Sequence, residues 1–355
     1  MGAFESKPPA EFGFREVLYT KADWVATITI NRSHSYNAYS TGALRELAAA
    51  ITDAAFDDAV AVIVLTGAGH QAFCTGGDVK EYQHLYTTRP RDYWKYMGLF
   101  KAYIEALVNA GKPVIARING MAVGGGNESQ LACDLAVMAE HAYLAQVGTR
   151  VGSVAAGGAT QWLPLHVGDR RAREMLLLNP RIPARQALEW GLVNRVAPSV
   201  TKDGRFIEGA TPEEIEKAQA GKDGYAISLA RLDEAVLELV KVLLQQFPEC
   251  QRYTKQQVNF WKDLAWHSTI GHARDWLSTH YTALEPWEGM RAFVDKRKAR
   301  YVELRQRAAD GGSSEFVWGP YEADCPACGA KGIPTGFAFC GACGTALVPA
   351  AVAPK

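Results

Sequence analysis

The chain has 355 residues, 48% hydrophobic and 21% charged, with 38 Lys plus Arg against 38 Asp plus Glu. That length accommodates one large domain and a small one, and the balanced charge excludes a global electrostatic case for nucleic acid or membrane binding. The opening MGAFESKPPAEFGF lacks the basic-then-apolar order of a secretory signal, and no apolar run is long enough to span a bilayer, so a cytoplasmic protein is expected.

Residues 25–30 (VATITI) are β-rich, and residues 41–55 read as a helix with Leu44 and Leu47 on one face. Residues 60–67 (VAVIVLTG) form a buried strand that ends in a glycine turn. A second glycine turn follows at Ala72-Phe73-Cys74-Thr75-Gly76-Gly77-Asp78. Residues 93–110 are helical and 114–118 (VIARI) are another strand, which leads into Val123-Gly124-Gly125-Gly126-Asn127-Glu128. A helix then runs through Cys133, and 135–139 is a further strand. This alternation predicts an α/β fold with a largely parallel sheet.

The joint at 123–128 offers backbone N–H groups at a helix N-terminus, where developing negative charge is stabilised, and places a carboxylate in the first helical turn. A triple glycine alone is weak evidence, since glycines often only let a helix pack closely on a strand. Two glycine turns from one sheet, however, are able to aim two N–H groups at one carbonyl oxygen.

Residues 199–226 are polar and glycine-rich, with a helix start at Thr211-Pro212-Glu213-Glu214, and read as a surface insertion. The expected organisation is a core over 1–198, the insertion over 199–226, a helical region over 227–308, a linker over 309–320 and a tail module over 321–355. Of seven cysteines, Cys325, Cys328, Cys340 and Cys343 crowd the tail as two CxxCG knuckles. Such turns present four thiolates to one tetrahedral metal, and disulfides are disfavoured in a reducing compartment. The module is too small to bury a core, so metal binding supplies its folding energy.

The chain resembles the crotonase (enoyl-CoA hydratase/isomerase) superfamily from about residue 14 to 300. The matching segments are 72–78, 112–116 with Asn119-Gly120, Gly124 to Glu128, 184–194, and Glu288-Gly289-Met290-Arg291-Ala292-Phe293 before Lys296-Arg297-Lys298. The resemblance implies a crotonase-type spiral of ββα turns, a C-terminal helical trimerisation region, a homotrimer or hexamer, and a coenzyme A thioester substrate. It maps the N–H groups of Gly77 and Gly125 onto the family's oxyanion hole, and Ala38, Asp78 and Val79 onto the coenzyme A site. Glu128 matches the first of two catalytic glutamates in the hydratases.

The second glutamate would follow Gln146, where this chain reads Gln146-Val147-Gly148 with Gly148 in the acid position, which argues against a simple two-carboxylate hydration. The run from Gln146 to Ser153 resembles dihydroxynaphthoyl-CoA synthase and ring-opening hydrolases. Those relatives carry an aspartate at the place of Ala155 and no glutamate at that of Glu128, the reverse of this chain. Tyr281 stands at the spacing of a tyrosine that, in the same relatives, enters a neighbouring subunit's site; ordinary packing beside Trp276 and Trp287 explains it equally well. Ser35-Tyr36-Asn37-Ala38-Tyr39-Ser40-Thr41 resembles the corresponding run of the 6-oxocyclohex-1-ene-1-carbonyl-CoA hydrolases, which add water to a cyclic enone thioester and then cleave a C–C bond.

The tail resembles a structural zinc ribbon, with roles open among docking a protein partner, trimer stabilisation and lid formation. Other readings are a hydratase of another acyl chain, a C–C bond-forming enzyme like the synthase, and a crotonase body turned nucleic-acid binder or scaffold. One Lys and no Arg between Cys325 and Cys343 is poor material for phosphate contacts. His141, His166 and His267 read as core or surface histidines, Cys74 as a buried filler, and Tyr82, His84 and Tyr86 as either a ring-accepting flap or an exposed loop.

Overall fold

The computed structural model describes residues 6–312, 323–334 and 336–347. In chain order the strands are β1 (Val17–Ala22), β2 (Val25–Ile30), β3 (Val62–Gly67), β4 (Ala72–Cys74), β5 (Val114–Ile118), β6 (Met121–Val123), β7 (Leu135–Ala139), β8 (Tyr143–Ala145), β9 (Ile182–Pro183), β10 (Arg195–Ala197), β11 (Val200–Lys202), β12 (Arg205–Phe206) and β13 (Tyr225–Ile227). The chain divides into two compact units. The first takes in the described residues up to Asp78, 95–150 and 154–274, and with them all of these strands.

In the first unit a six-stranded sheet has the order β1-β2-β3-β5-β7-β10, and a smaller sheet the order β4-β6-β8-β9. Strands β1 and β2 form an antiparallel hairpin whose turn residues, Asp23 and Trp24, both have positive φ. From β2 to β10 the large sheet is parallel. Every residue of β3 is buried, as a parallel strand covered on both faces requires. The pairs β3/β4, β5/β6 and β7/β8 each give one strand to each sheet before a helix carries the chain back. These are the expected successive ββα turns.

The polar stretch after residue 198 holds a third sheet, β12-β11-β13, and a helix at Pro212–Ala220. Thr211 and Glu214 close a reciprocal capping box there, satisfying N–H groups that the first helical turn leaves open. Helices at Ala230–Leu243, Pro248–Val258 and Phe260–His267 follow. Two lysines tie them to the sheet connections. Buried Lys255 donates to the carbonyls of Leu107 and Lys112 and pairs with Asp134 at 2.8 Å. Lys262 donates to the carbonyls of Leu131 and Cys133, placing a cation on the C-terminus of the Gly125–Ala132 helix, where the dipole favours it.

The second unit takes in 79–94, 151–153 and the chain from Asp275 onward. It contains a short helix at Val79–Glu81 and a π-turn at Tyr82–Tyr86, with further helices at Leu284–Val294 and Tyr301–Ala309. Glu288, 2% exposed, takes a two-pronged bond from Arg297 at 2.6 and 3.0 Å and a contact from Arg300 at 3.3 Å. Most of the linker expected over 309–320, and the expected start of the tail module, lie outside the described residues.

Candidate active site and metal centre

The two glycine turns abut in the first unit. The Tyr39 N–H donates to the Gly76 carbonyl at 2.9 Å, and the Asp78 N–H donates to the Tyr39 carbonyl at 3.1 Å. Using Gly76 and Asp78 in this way turns the N–H of Gly77 to the opposite edge of the extended chain, because successive peptide groups alternate. On that side stands Gly125, the first residue of the Gly125–Ala132 helix, whose N–H has no intrahelical acceptor. A Cβ on Gly76 would stand 2.8 Å from the Gly125 nitrogen. Among the described residues neither the Gly77 nor the Gly125 N–H donates to a protein acceptor.

The glycine run is dictated by close approach. A Cβ on Gly125 would overlap the hydroxyl of Tyr39, which is buried and stacked on Phe100 with ring centroids 5.5 Å apart. A Cβ on Gly126 would overlap the Cys74 carbonyl. We expect Gly125→Ala to lower turnover by about 10²–10³-fold through displacement of its N–H, the cost of removing one oxyanion donor. Stopped-flow assay beside a circular-dichroism melt checks this; wild-type turnover in a folded Gly125→Ala protein would rule the donor out.

Glu128 lies one turn into the same helix and is 5% exposed. Its Oε1 accepts the N–H of Gly157 at 2.7 Å and of Ala159 at 3.2 Å. These come from the N-terminus of the Ala159–Val167 helix and the turn before it. Burial raises the carboxyl pKa to about 7 despite the two N–H bonds that oppose the shift. Such a carboxylate changes protonation near neutral pH, as a general base should. Gly148 opens a short 3-10 turn, Gly148–Arg150, that brings no carboxylate.

Asp78 accepts an Arg32 guanidinium bond at 3.0 Å, and the same guanidinium donates to the carbonyl of Ala38 and pairs with Glu16 at 2.6 Å. Arg32 therefore ties together Ala38 and Asp78, two positions expected at the coenzyme A site; the sequence reading passed over it, and only its place just after β2 signalled it. Val79 begins the short helix that follows Asp78.

In the second unit Tyr281 is fully buried and stacked on Tyr93 at 3.5 Å between centroids, with its hydroxyl 3.5 Å from Ser153 Oγ. Burial raises its pKa to about 12, so the phenol stays protonated. Tyr82 packs edge-on against both Tyr93 and Tyr281, and Tyr86 is buried against Tyr93. Tyr93 was not singled out in the sequence, where an aromatic helix hides which ring faces a partner. His141 is spent on Ser199 Oγ and the His70 carbonyl, burial lowers His166 to about 4, and burial pushes the Cys74 thiol up to about 12. His267 is exposed.

In the tail, the Sγ atoms of Cys325, Cys328, Cys340 and Cys343 lie within 4.8 Å of one another. Cys325 and Cys343 are 3.5 Å apart and Cys328 and Cys340 3.8 Å, too far for disulfides. Four sulfurs at 2.3 Å from a tetrahedral ion stand roughly 3.8 Å apart, so this donor set fits Zn²⁺ or iron. Each knuckle repeats one fold: the Gly329 N–H donates to the Cys325 carbonyl and the Gly344 N–H to the Cys340 carbonyl, with both glycines at positive φ. The apolar support is slight: Ile333, Leu347 and the two buried cysteines.

A family model described as enoyl-CoA hydratase/isomerase matches residues 20–211. Proteins named 6-oxocyclohex-1-ene-1-carbonyl-CoA hydrolase, from Geobacter metallireducens and Thauera aromatica, are 34% and 33% identical to this chain, covering 81% and 80% of it and 81% and 82% of themselves. An enoyl-CoA hydratase structure from Mycobacterium avium subsp. paratuberculosis aligns with TM-score 0.64 and 25% identity, covering 81% of this chain and 98% of its own. One from Bacillus anthracis aligns with TM-score 0.58 and 27% identity, covering 80% and 98%. The chain belongs to the enoyl-CoA hydratase/isomerase family, the crotonases, and is a hydrolase or hydratase acting on coenzyme A thioesters.

Proposed function

We propose that this enzyme adds water to a cyclic oxo-enoyl-CoA, of the type 6-oxocyclohex-1-ene-1-carbonyl-CoA, and then opens the ring with a second water. The observation that carries the reading is Glu128: one buried carboxylate beside two unspent backbone N–H groups, with no second carboxylate at Gly148. The similarity to the ring-opening hydrolases supports the substrate class.

In the first step Glu128 takes a proton from water as its oxygen bonds to the β-carbon. The electron pair moves into the thioester enolate, whose oxygen is held by the N–H groups of Gly77 and Gly125. Glu128 then returns that proton to the α-carbon and is again a carboxylate. In the second step water, again deprotonated by Glu128, adds to the ring ketone. The resulting alkoxide collapses to a carboxylic acid as the bond to the α-carbon breaks, and that pair again becomes the thioester enolate. One oxyanion hole thus serves both steps. The Tyr281 phenol is assigned the proton that the α-carbon takes up after this cleavage, the phenolate regaining one from solvent as Glu128 releases its own to solvent, and Asp78, Val79 and Ala38 are assigned the coenzyme A.

Simple hydration is the second reading, favoured by the enoyl-CoA hydratases among the structural neighbours. Incubation with 6-oxocyclohex-1-ene-1-carbonyl-CoA decides between them: a dicarboxylic acyl-CoA is the expected product, and accumulation of the hydrated ring alone contradicts ring opening. Assembly as a trimer or hexamer belongs to the same proposal, supported by the exposed apolar side chains Phe247, Val258, Phe260 and Trp261. The proposed occupant of the four-cysteine site is structural zinc.

A further inference from the structure

The Gly157 N–H that binds Glu128 belongs to a turn whose backbone bonds, Ala156 N–H to the Val154 carbonyl and Thr160 N–H to the Ala155 carbonyl, leave the Ala156 carbonyl and the Gly158 N–H to a side chain. Residues 155–158 precede the Ala159–Val167 helix, and Gly158 has φ of +128°. A Cβ on Gly157 would overlap the Phe100 ring, so the turn is pressed against an aromatic face that gives it no hydrogen bond. The polar anchor is Gln161. Its Oε1 accepts the Gly158 N–H at 3.1 Å, and its Nε2 donates to the Ala156 carbonyl at 2.9 Å. The amide therefore grips the backbone on both sides of Gly157. Nε2 also donates to Thr269 Oγ1 at 3.2 Å, and that hydroxyl donates to the Ala265 carbonyl at 2.7 Å. Gln161 is 8% exposed and all of these residues lie in the first unit.

We infer that Gln161 is a positioning residue for Glu128: its amide, anchored on Thr269, fixes the Ala156–Gly157–Gly158 backbone so that the Gly157 and Ala159 N–H groups hold Oε1 and leave Oε2 to meet water. This rests on the assignment of Glu128 as the general base. A carboxylate bound by two N–H groups is favoured over the acid, so loosening the turn disfavours ionisation. Few other groups compete for that control. The elements packed on the Gly125–Ala132 helix bring Tyr103 from Pro90–Val108, Cys74 from β4 and His166 from Ala159–Val167, all held neutral at pH 7 by burial, and Lys262 from Phe260–His267, which is spent on the carbonyls at the helix's far, C-terminal end. No charged side chain contributes to the Glu128 shift.

The test is an infrared difference titration of the Glu128 carboxyl, with Glu128→Gln as reference spectrum. In Gln161→Leu the midpoint is expected to rise by about one pH unit, equivalent to ~1.4 kcal/mol lost from the ionised form. The acid limb of turnover moves with it, while KM for the thioester is nearly unchanged. Thr269→Val shifts the midpoint the same way by less, and decides the matter if Gln161→Leu does not fold. Trp162→Phe, beside the clamp but outside it, lowers stability and leaves the midpoint in place. A folded Gln161→Leu or Thr269→Val protein with the wild-type midpoint overturns the inference. The titration does not depend on turnover, so a fully active Glu128→Gln enzyme would remove the base assignment while leaving the positional effect measurable.

Discussion

Glu128→Gln lowers turnover by about 10²–10⁴-fold, the usual contribution of a positioned acid/base group, with KM for the thioester nearly unchanged. Gln is isosteric, and its carbonyl oxygen is able to accept the Gly157 and Ala159 N–H groups as Oε1 does, so the turn and the oxyanion glycines stay in place. What is lost is the ability to take a proton from water. The pH profile carries the same signature. With the carboxyl held near 7 by burial, wild-type turnover rises as pH passes through about 7 and the base ionises. The residual rate of Glu128→Gln lacks that limb. Stability runs the other way. The folded pKa stands above the unfolded value, so ionised Glu128 weighs against the fold increasingly as pH climbs from the unfolded value towards 7. Above that pH the variant is expected to melt no lower than wild type. Retention of full turnover by Glu128→Gln would refute the assignment.

The second large effect is at the tail. Cys325→Ser, or a strong chelator on the wild type, is expected to unfold the ribbon while the crotonase body keeps its melting transition. Ile333 and Leu347 are the only large apolar residues in the ribbon's buried cluster among the described residues, far too little to repay chain ordering. Zinc binding to such sites supplies about 10–16 kcal/mol, which in a module of this kind is its folding energy. Elemental analysis of the purified protein is expected to find about one zinc per chain, as one tetrahedral four-cysteine site implies, and much less in Cys325→Ser. Hydrogen exchange reports the fold through the Cys325 and Cys340 amides, which donate to the carbonyls of Ala330 and Thr345. A metal-free wild type with both amides protected would contradict the metal site.

Local chemistry made much of this legible. The all-apolar 60–67 run, the glycine joint before Glu128 and the CxxCG spacing each constrain backbone or ligand geometry over a few residues. The parallel strands and the four clustered sulfurs appear where that chemistry places them. The hidden parts depend on residues far apart in the chain. Arg32 gathers Glu16, Ala38 and Asp78 from three segments, and a lone arginine after a strand looks like any surface cation. Tyr93 becomes informative only when Tyr281 stacks on it. The clamp of Gln161 on Ala156 and Gly158 is short in sequence, yet its purpose shows only when Glu128 comes in from another ββα turn.

Conversion of 6-oxocyclohex-1-ene-1-carbonyl-CoA in H₂¹⁸O, followed by mass spectrometry, addresses the proposed ring opening most directly. The account predicts an acyclic product with ¹⁸O in both a new hydroxyl and a new free carboxylate, one from each water, formed about 10²–10⁴-fold more slowly by Glu128→Gln. A cyclic product labelled at the hydroxyl alone would make the enzyme a hydratase and contradict the ring-opening step.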